Sequence, residues 1–398
     1  MKDNKAQKIR DIQHFGEEGG VVPVIDHAAT STFLNPNDMQ KVFEGEIQGC
    51  YLYSRHTNPS VMMFSKKLAA MEGSESALGL ASGMSAITCA VLQVMKEGGH
   101  MIASDTIYGG TWALFKNILP KFGIDITFVD PSDVNEFKNA IKDTTRLIYT
   151  ETMSNPLLSI SDISSLASLA KENNLKLIVD NTFTPLIVSP IELGADAVVY
   201  SCTKYISGQS DLIAGAICST EDFINELIDV NHGMAMLSGP VMDPKVAYEL
   251  YSRLDTLPIR MKAHSSAAET LVTTMNKEGI DGIIYPGLEQ YKQFSLFNKM
   301  RNQAYGNGGM ITLDCGSLEF ATKLARSLQE NKFGLFAVSL GFSRTLLSCP
   351  SASTSSEIPK EEQERIGLSD GLLRMSIGFC GDEEILAERF IKCFKELK

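Results

Sequence analysis

Between Ala77 and Ser201 short apolar runs alternate with amphipathic stretches, and this alternation leaves the chain very few architectures. Runs at residues 100–103, 125–129, 146–150, 176–179 and 197–200 read as strands. Between them, residues 111–122, 134–141 and 163–172 carry apolar side chains at helical spacing. Strands this apolar need cover on both faces, and a strand–helix–strand repeat supplies that cover by making the sheet largely parallel. The predicted class is therefore α/β. Ligands of such sheets bind beyond the carboxyl ends of the strands, so the residues just after each run are the candidates for chemistry.

The flanking regions read differently. Residues 1–59 show little periodicity and repeated Gly and Pro, as in Asn35-Pro36-Asn37, which suggests an extended arm that wraps a neighbouring subunit. Asn58-Pro59 then fits a helix start, with Asn58 as cap and Pro59 as first residue. A helical run over 247–275 leads into separated strands at 309–313, 336–340 and 373–377 and helices at 319–329 and 383–397. The expected division is an arm (1–59), a large ligand-binding domain (60–250) and a smaller α+β domain (251–398).

A net charge of -12 argues against nucleic acid or an anionic membrane as partner. No run of eighteen apolar residues predicts a membrane span, and the polar start lacks a signal-peptide core. Eight scattered cysteines without Cys-x-x-Cys spacing and six dispersed histidines point to a reducing, cytoplasmic setting and no protein-bound metal.

Lys204 lies just past the run 197–200, in Ser201-Cys202-Thr203-Lys204-Tyr205. An ammonium there is costly to desolvate, and desolvation lowers its pKa toward that of a nucleophile or base. One use of such an amine is a Schiff base to pyridoxal phosphate, while a lysine that snorkels to solvent is the plainer alternative. Asp180 ends the run 176–179 and either pairs with a pyridine nitrogen or caps a turn. Ser82-Gly83-Met84-Ser85 opens a helix whose free amides suit a phosphate, or is a plain capped start. Tyr53 and Arg55 could hold the same anion, and Tyr108, beyond a strand, could stack on a flat ring and exchange a proton. Asn155 could bond a ring hydroxyl. Arg374, in an apolar strand, needs an anion, either a substrate carboxylate or an internal partner. A nicotinamide-binding oxidoreductase fits the coarse pattern too, yet the chain has no Gly-x-Gly-x-x-Gly motif.

Tyr53-Ser54-Arg55, Asn58-Pro59, Ala81-Ser82-Gly83-Met84, Tyr108-Gly109-Gly110-Thr111, Val179-Asp180-Asn181-Thr182-Phe183, Ser201-Cys202-Thr203-Lys204-Tyr205 and Arg374 together resemble the Cys/Met-metabolism (transsulfuration) enzymes, from about His27 onward. The resemblance implies the aspartate-aminotransferase-like fold (fold type I), with a mostly parallel sheet of the seven-stranded type in the large domain. It also implies a homotetramer of two active dimers acting on a small amino-acid substrate with pyridoxal 5'-phosphate. Lys204 would carry the cofactor and move protons. Gly83, Met84, Ser201 and Thr203 would hold its phosphate, with Tyr53 and Arg55 reaching in from a neighbouring subunit. Asp180 would meet the ring nitrogen, Tyr108 the ring face and Asn155 the ring hydroxyl. Ser339 and Arg374 would hold the substrate carboxylate, and Arg344 would face its far end.

Departures from the family pattern bear on substrate. Gly110 stands where methionine γ-lyases usually have cysteine, Arg344 where lyases commonly have an acid, and Gln209 and Ser355 where many members have histidine. A basic Arg344 disfavours cystathionine, whose distal ammonium it would repel. The expected activity is γ-elimination on methionine or a related sulphur amino acid. O-acetylhomoserine sulfhydrylase-type γ-replacement is the alternative, and cystathionine lyase or synthase comes third.

Overall fold

The structure is a computed structural model that describes residues 4–12, 20–43, 46–47, 51–353 and 359–398. Ser355 lies outside the described residues. Seven strands form the large sheet: β1 (Ser76–Leu80), β2 (Gly99–Ser104), β3 (Ile124–Val129), β4 (Thr145–Glu151), β5 (Lys176–Asp180), β6 (Ala197–Ser201) and β7 (Gly215–Ser219). Their order is β1-β7-β6-β5-β4-β2-β3. Only β7 runs against its neighbours, so the five strands read from the sequence are mutually parallel.

Side chains explain the cover. Leu177 and Val179 of β5 and Val198 and Tyr200 of β6 enter one apolar layer, whereas Ile178, Ala197 and Val199 enter the opposite layer. Successive residues of a strand point to opposite faces, so both faces being buried makes each strand read as an unbroken apolar run.

A second sheet contains β8 (Ile283–Ile284), β9 (Met310–Asp314), β10 (Leu335–Phe336), β11 (Leu346–Ser348) and β12 (Leu372–Ser376), in the order β10-β11-β12-β9-β8. It has its own apolar layer against helices Leu257–Lys277, Leu318–Glu330 and Glu383–Leu397. No helix among the described residues is long and apolar enough to cross a membrane.

Asn58 caps the helix Pro59–Glu72 as expected, its side-chain Oδ1 accepting from the Ser60 and Val61 amides. Other expectations shift. The helical run 247–275 is two helices, Pro244–Leu254 and Leu257–Lys277, because Pro258 lacks the amide an unbroken helix needs and suits a first turn. The stretch 111–122 divides into Gly109–Ala113, a wider turn Leu114–Ile118 and a tight turn Leu119–Phe122 containing Pro120. Of the expected strand 336–340 only Phe336 lies in a strand, β10, and the chain beyond it turns to line a cavity. The arm region holds two short helices, Lys5–Asp11 and Pro36–Phe43, while Val21, Val24 and Leu34 stay exposed.

Candidate active site

A cavity of about 240 Å³ opens at the carboxyl ends of the large-sheet strands and is closed by the loop after β10. Gly83, Met84, Tyr108, Asn155, Asp180, Ser201, Lys204, Ser339 and Arg374 all line it. The sheet order accounts for most of this convergence. Tyr108 follows β2, Asn155 follows β4, Asp180 ends β5, and Ser201 and Lys204 end and follow β6.

Lys204 Nζ donates to Ser339 Oγ at 3.1 Å. Burial first, and then the positive charge of Arg374, lower its pKa from 10.5 to about 8. The lysine loop is held from behind by Arg260, whose guanidinium donates to the carbonyls of Tyr205 and Ile206. Thr203 bonds both ways with Ala214, accepting from its amide at 3.0 Å and donating to its carbonyl at 3.2 Å.

Asp180 and Glu151 sit opposite each other in the β4–β5 register and so share one face. Burial raises Asp180 to about 6, although its Oδ1 accepts the Thr182 amide at 3.0 Å. Glu151 is pushed well above the usual carboxylate range by burial and then by Asp180. Like charges this close cannot both ionise cheaply, and Glu151 is the one that keeps its proton. Arg374, 2% exposed, donates to Asn155 Oδ1 at 2.9 Å and to the Ser339 carbonyl at 3.2 Å. Its Nε has no partner and no carboxylate neutralises it, so burial lowers its pKa to about 10. Such a cation is ready for an anionic ligand.

At the opposite end, Ser82 caps the helix Gly83–Val94 in a reciprocal pair with Ser85. A Cβ on Gly83 would stand 2.7 Å from Ser201 Cβ and 3.0 Å from its Oγ. Glycine thus leaves a cradle where amides and a hydroxyl face one small space. Gly215 on β7 closes it from below, since its own Cβ would meet the Ser82 carbonyl oxygen at 2.0 Å. A cradle for an anion, an amine without a carboxylate partner, a carboxylate at ring depth and an unpaired guanidinium together fit pyridoxal 5'-phosphate and an amino acid.

Thr203, Tyr53, Arg55 and Arg344 are not among the residues of the chain that line this cavity. Arg55 donates to the Met236 carbonyl at 2.8 Å and lies 5.7 Å from the centre of the Tyr53 ring, on a separate surface. Arg344 corrects the expectation for the substrate's far end. The Phe379 and Cys380 amides both hold the Ser343 carbonyl at 2.9 Å, and Arg344 lines a different cavity with Lys332 and Arg389. Sequence reasoning missed Glu151, Thr182 and Gly215. Glu151 carried a usable signal, because an acid ending an apolar run is as conspicuous as Asp180.

The sequence matches the family model described as Cys/Met metabolism PLP-dependent enzyme over residues 6–389. It is 44% identical over 396 residues to a methionine gamma-lyase of Arabidopsis thaliana, covering 98% of this chain and 90% of that one. An L-methionine gamma-lyase of Fusobacterium nucleatum subsp. nucleatum is 38% identical, with 90% of each chain covered. The fold superposes with a TM-score of 0.90 on a Campylobacter jejuni chain described as an O-acetylhomoserine (thiol)-lyase and solved with N'-pyridoxyl-lysine-5'-monophosphate. That pair shares 26% identity and covers 98% of this chain and 100% of the other. The chain belongs to the Cys/Met metabolism PLP-dependent enzyme family.

Proposed function

We propose that the chain catalyses γ-elimination on methionine or a related sulphur amino acid, releasing a 2-oxo acid, ammonia and a thiol. The observation that carries the substrate class is the distribution of charge in the cavity. Its acidic and basic residues are Glu151, Asp180, Lys204 and Arg374, and each has a role close to the cofactor or the substrate carboxylate. The remaining wall includes Ile87, Met153, Phe183, Val338 and Leu340, which suits a thioether and offers no counter-ion to a distal ammonium. The methionine gamma-lyase relatives support the same reading.

Pyridoxal 5'-phosphate, when bound, supplies an electron sink for charge developed on the substrate. Arg374 and Ser339 hold the substrate carboxylate, so that its Cα–H faces the lysine. Lys204, with its lowered pKa, would take the proton from Cα, give it up to the cofactor, and as a free amine again take one from Cβ. The Tyr108 hydroxyl gives a proton to the departing sulphur at Cγ. Asp180 would keep the ring nitrogen protonated, Tyr108 would cover the ring face and Asn155 would meet the ring hydroxyl. Gly83, Met84, Ser201 and Thr203 would hold the phosphate.

Among the described residues the only arginine lining this cavity is Arg374, which is assigned to the substrate carboxylate, whereas Tyr53 and Arg55 sit on another surface, in the arm. We therefore assign Tyr53 and Arg55 to the phosphate site of a second copy, within a homotetramer of two such dimers. Residues 1–59, 60–250 and 251–398 act as arm, cofactor domain and smaller domain of a cytoplasmic enzyme.

Incubation with methionine alone yields an oxo acid and a volatile thiol. Turnover confined to an activated homoserine ester plus sulphide sinks this reading in favour of γ-replacement, the activity in the description of the Campylobacter jejuni chain. Gly83→Ala offers a second check. The new methyl group cannot be placed without moving Ser201, so cofactor affinity falls about tenfold or more while the thermal transition moves little. Unchanged affinity in an equilibrium titration removes Gly83 from the phosphate site.

A further inference from the structure

We propose that Glu151 is a positioning residue, a single buried carboxyl group that fixes both Tyr108 and Asn155 against the cofactor ring. Its Oε1 accepts the Tyr108 amide at 2.8 Å, and the Asn155 amide bonds the same carboxyl group. Those amides belong to two different loops, one leaving β2 and the other leaving β4. Nothing in the β-ladder sets the distance between these loops, because both amides lie beyond the last paired residues. Glu151 bridges that gap from the end of β4. Its backbone is anchored in turn, with the Ser161 hydroxyl donating to the Glu151 carbonyl at 2.9 Å.

Tyr108 needs such a brace. Its ring is 43% exposed, its side chain caps no helix, and its neighbour Gly110 has no side chain to wedge it. The Tyr108 carbonyl accepts the Trp112 amide at 2.9 Å, so a change at Tyr108 passes directly into the short helix behind it. Asn155, through its Oδ1, also sets the guanidinium of Arg374. One carboxyl group therefore determines the relative positions of the proton donor and the carboxylate clamp.

The inference rests on the proposed function for its effect on turnover but not for its effect on the loops, and two readouts keep these apart. Trp112 is the only tryptophan in the chain, buried and stacked on Phe128 at 6.2 Å, and it reports the Tyr108 loop without cofactor. Two variants are needed: Glu151→Leu removes both carboxyl oxygens, and Glu151→Asp keeps the carboxyl group but draws it back by one methylene.

In cofactor-free protein both variants raise acrylamide quenching of Trp112 about twofold or more, because each leaves an amide without its acceptor. In loaded enzyme both lower kcat by about 10²-fold, the cost of misplacing a proton donor by an ångström, and raise KM because the Arg374 clamp shifts with Asn155. Glu151→Asp matching the wild type in quenching and kcat overturns the proposal and leaves only the need for some carboxyl group at this position. Should Glu151→Leu fail to fold by circular dichroism, Glu151→Asp decides alone. Wild-type protein that binds no cofactor refutes the proposed function, and the quenching arm still decides the brace.

Discussion

Lys204→Ala loses the visible absorbance of bound cofactor and lowers kcat by at least about 10⁴-fold, while circular dichroism stays that of the wild type. The size follows from one side chain serving as covalent anchor and as proton carrier, since general-base loss alone costs about 10²–10⁴-fold. The fold survives because Nζ has one protein partner, Ser339 Oγ, and that hydroxyl is only part-buried. A pH dependence accompanies the prediction. An ordinary lysine is almost wholly charged at pH 7, whereas a pKa of about 8 leaves roughly a tenth of the amine neutral and nucleophilic. Burial lowers the pKa, so the neutral fraction grows as pH rises through about 8, and the rate of cofactor capture by cofactor-free protein rises over that interval. Stopped-flow absorbance measures it. A capture rate that climbs only near pH 10 shows a solvated lysine and removes the basis of the site.

The sequence carried this much because the fold and the site obey the same rule. Strands buried on both faces read as continuous apolar runs, and the cavity opens where those runs end, so Tyr108, Asn155, Asp180 and Lys204 could be found together. What escaped has identifiable causes. Strand β7, Gly215-Ala216-Ile217-Cys218-Ser219, is short and built largely of small residues, so nothing marks it apart from a loop. Its Gly215 matters through a close approach to Ser82, which no local pattern encodes. Arg344 was assigned by position along the chain, whereas the amides of Phe379 and Cys380 hold the carbonyl of its neighbour Ser343 and Arg344 itself lines another cavity. Tyr53 and Arg55 show the opposite limit. Their motif reads clearly, but the chain they serve is another copy in the proposed assembly.

Asp180→Asn makes cofactor-free protein more stable at neutral pH and loaded enzyme at least about 10²-fold slower. Both effects come from the same buried charge. Burial raises the Asp180 carboxyl from 3.8 to about 6, so the folded chain binds this proton more tightly than the unfolded chain. Tighter proton binding by the folded state stabilises it below about pH 4, and that contribution is lost as pH rises through about 6. At pH 7.5 the folded, cofactor-free chain therefore carries a charge that costs up to about 3 kcal/mol. Asparagine removes the charge and keeps an oxygen for the Thr182 amide, now 3.0 Å away. The thermal transition of the variant should exceed that of the wild type at pH 7.5 by a few degrees, with the difference closing toward pH 4. With cofactor bound the order reverses. A carboxylate opposite a protonated ring nitrogen recovers its desolvation cost, and an amide there leaves the ring a weaker acceptor of charge, a loss comparable with that of one preorganised electrostatic contact. Scanning calorimetry with and without cofactor, at both pH values, decides the matter. A cofactor-free variant no more stable than the wild type at pH 7.5 means that Asp180 is not held as a costly buried charge, and the site must find its ring partner elsewhere.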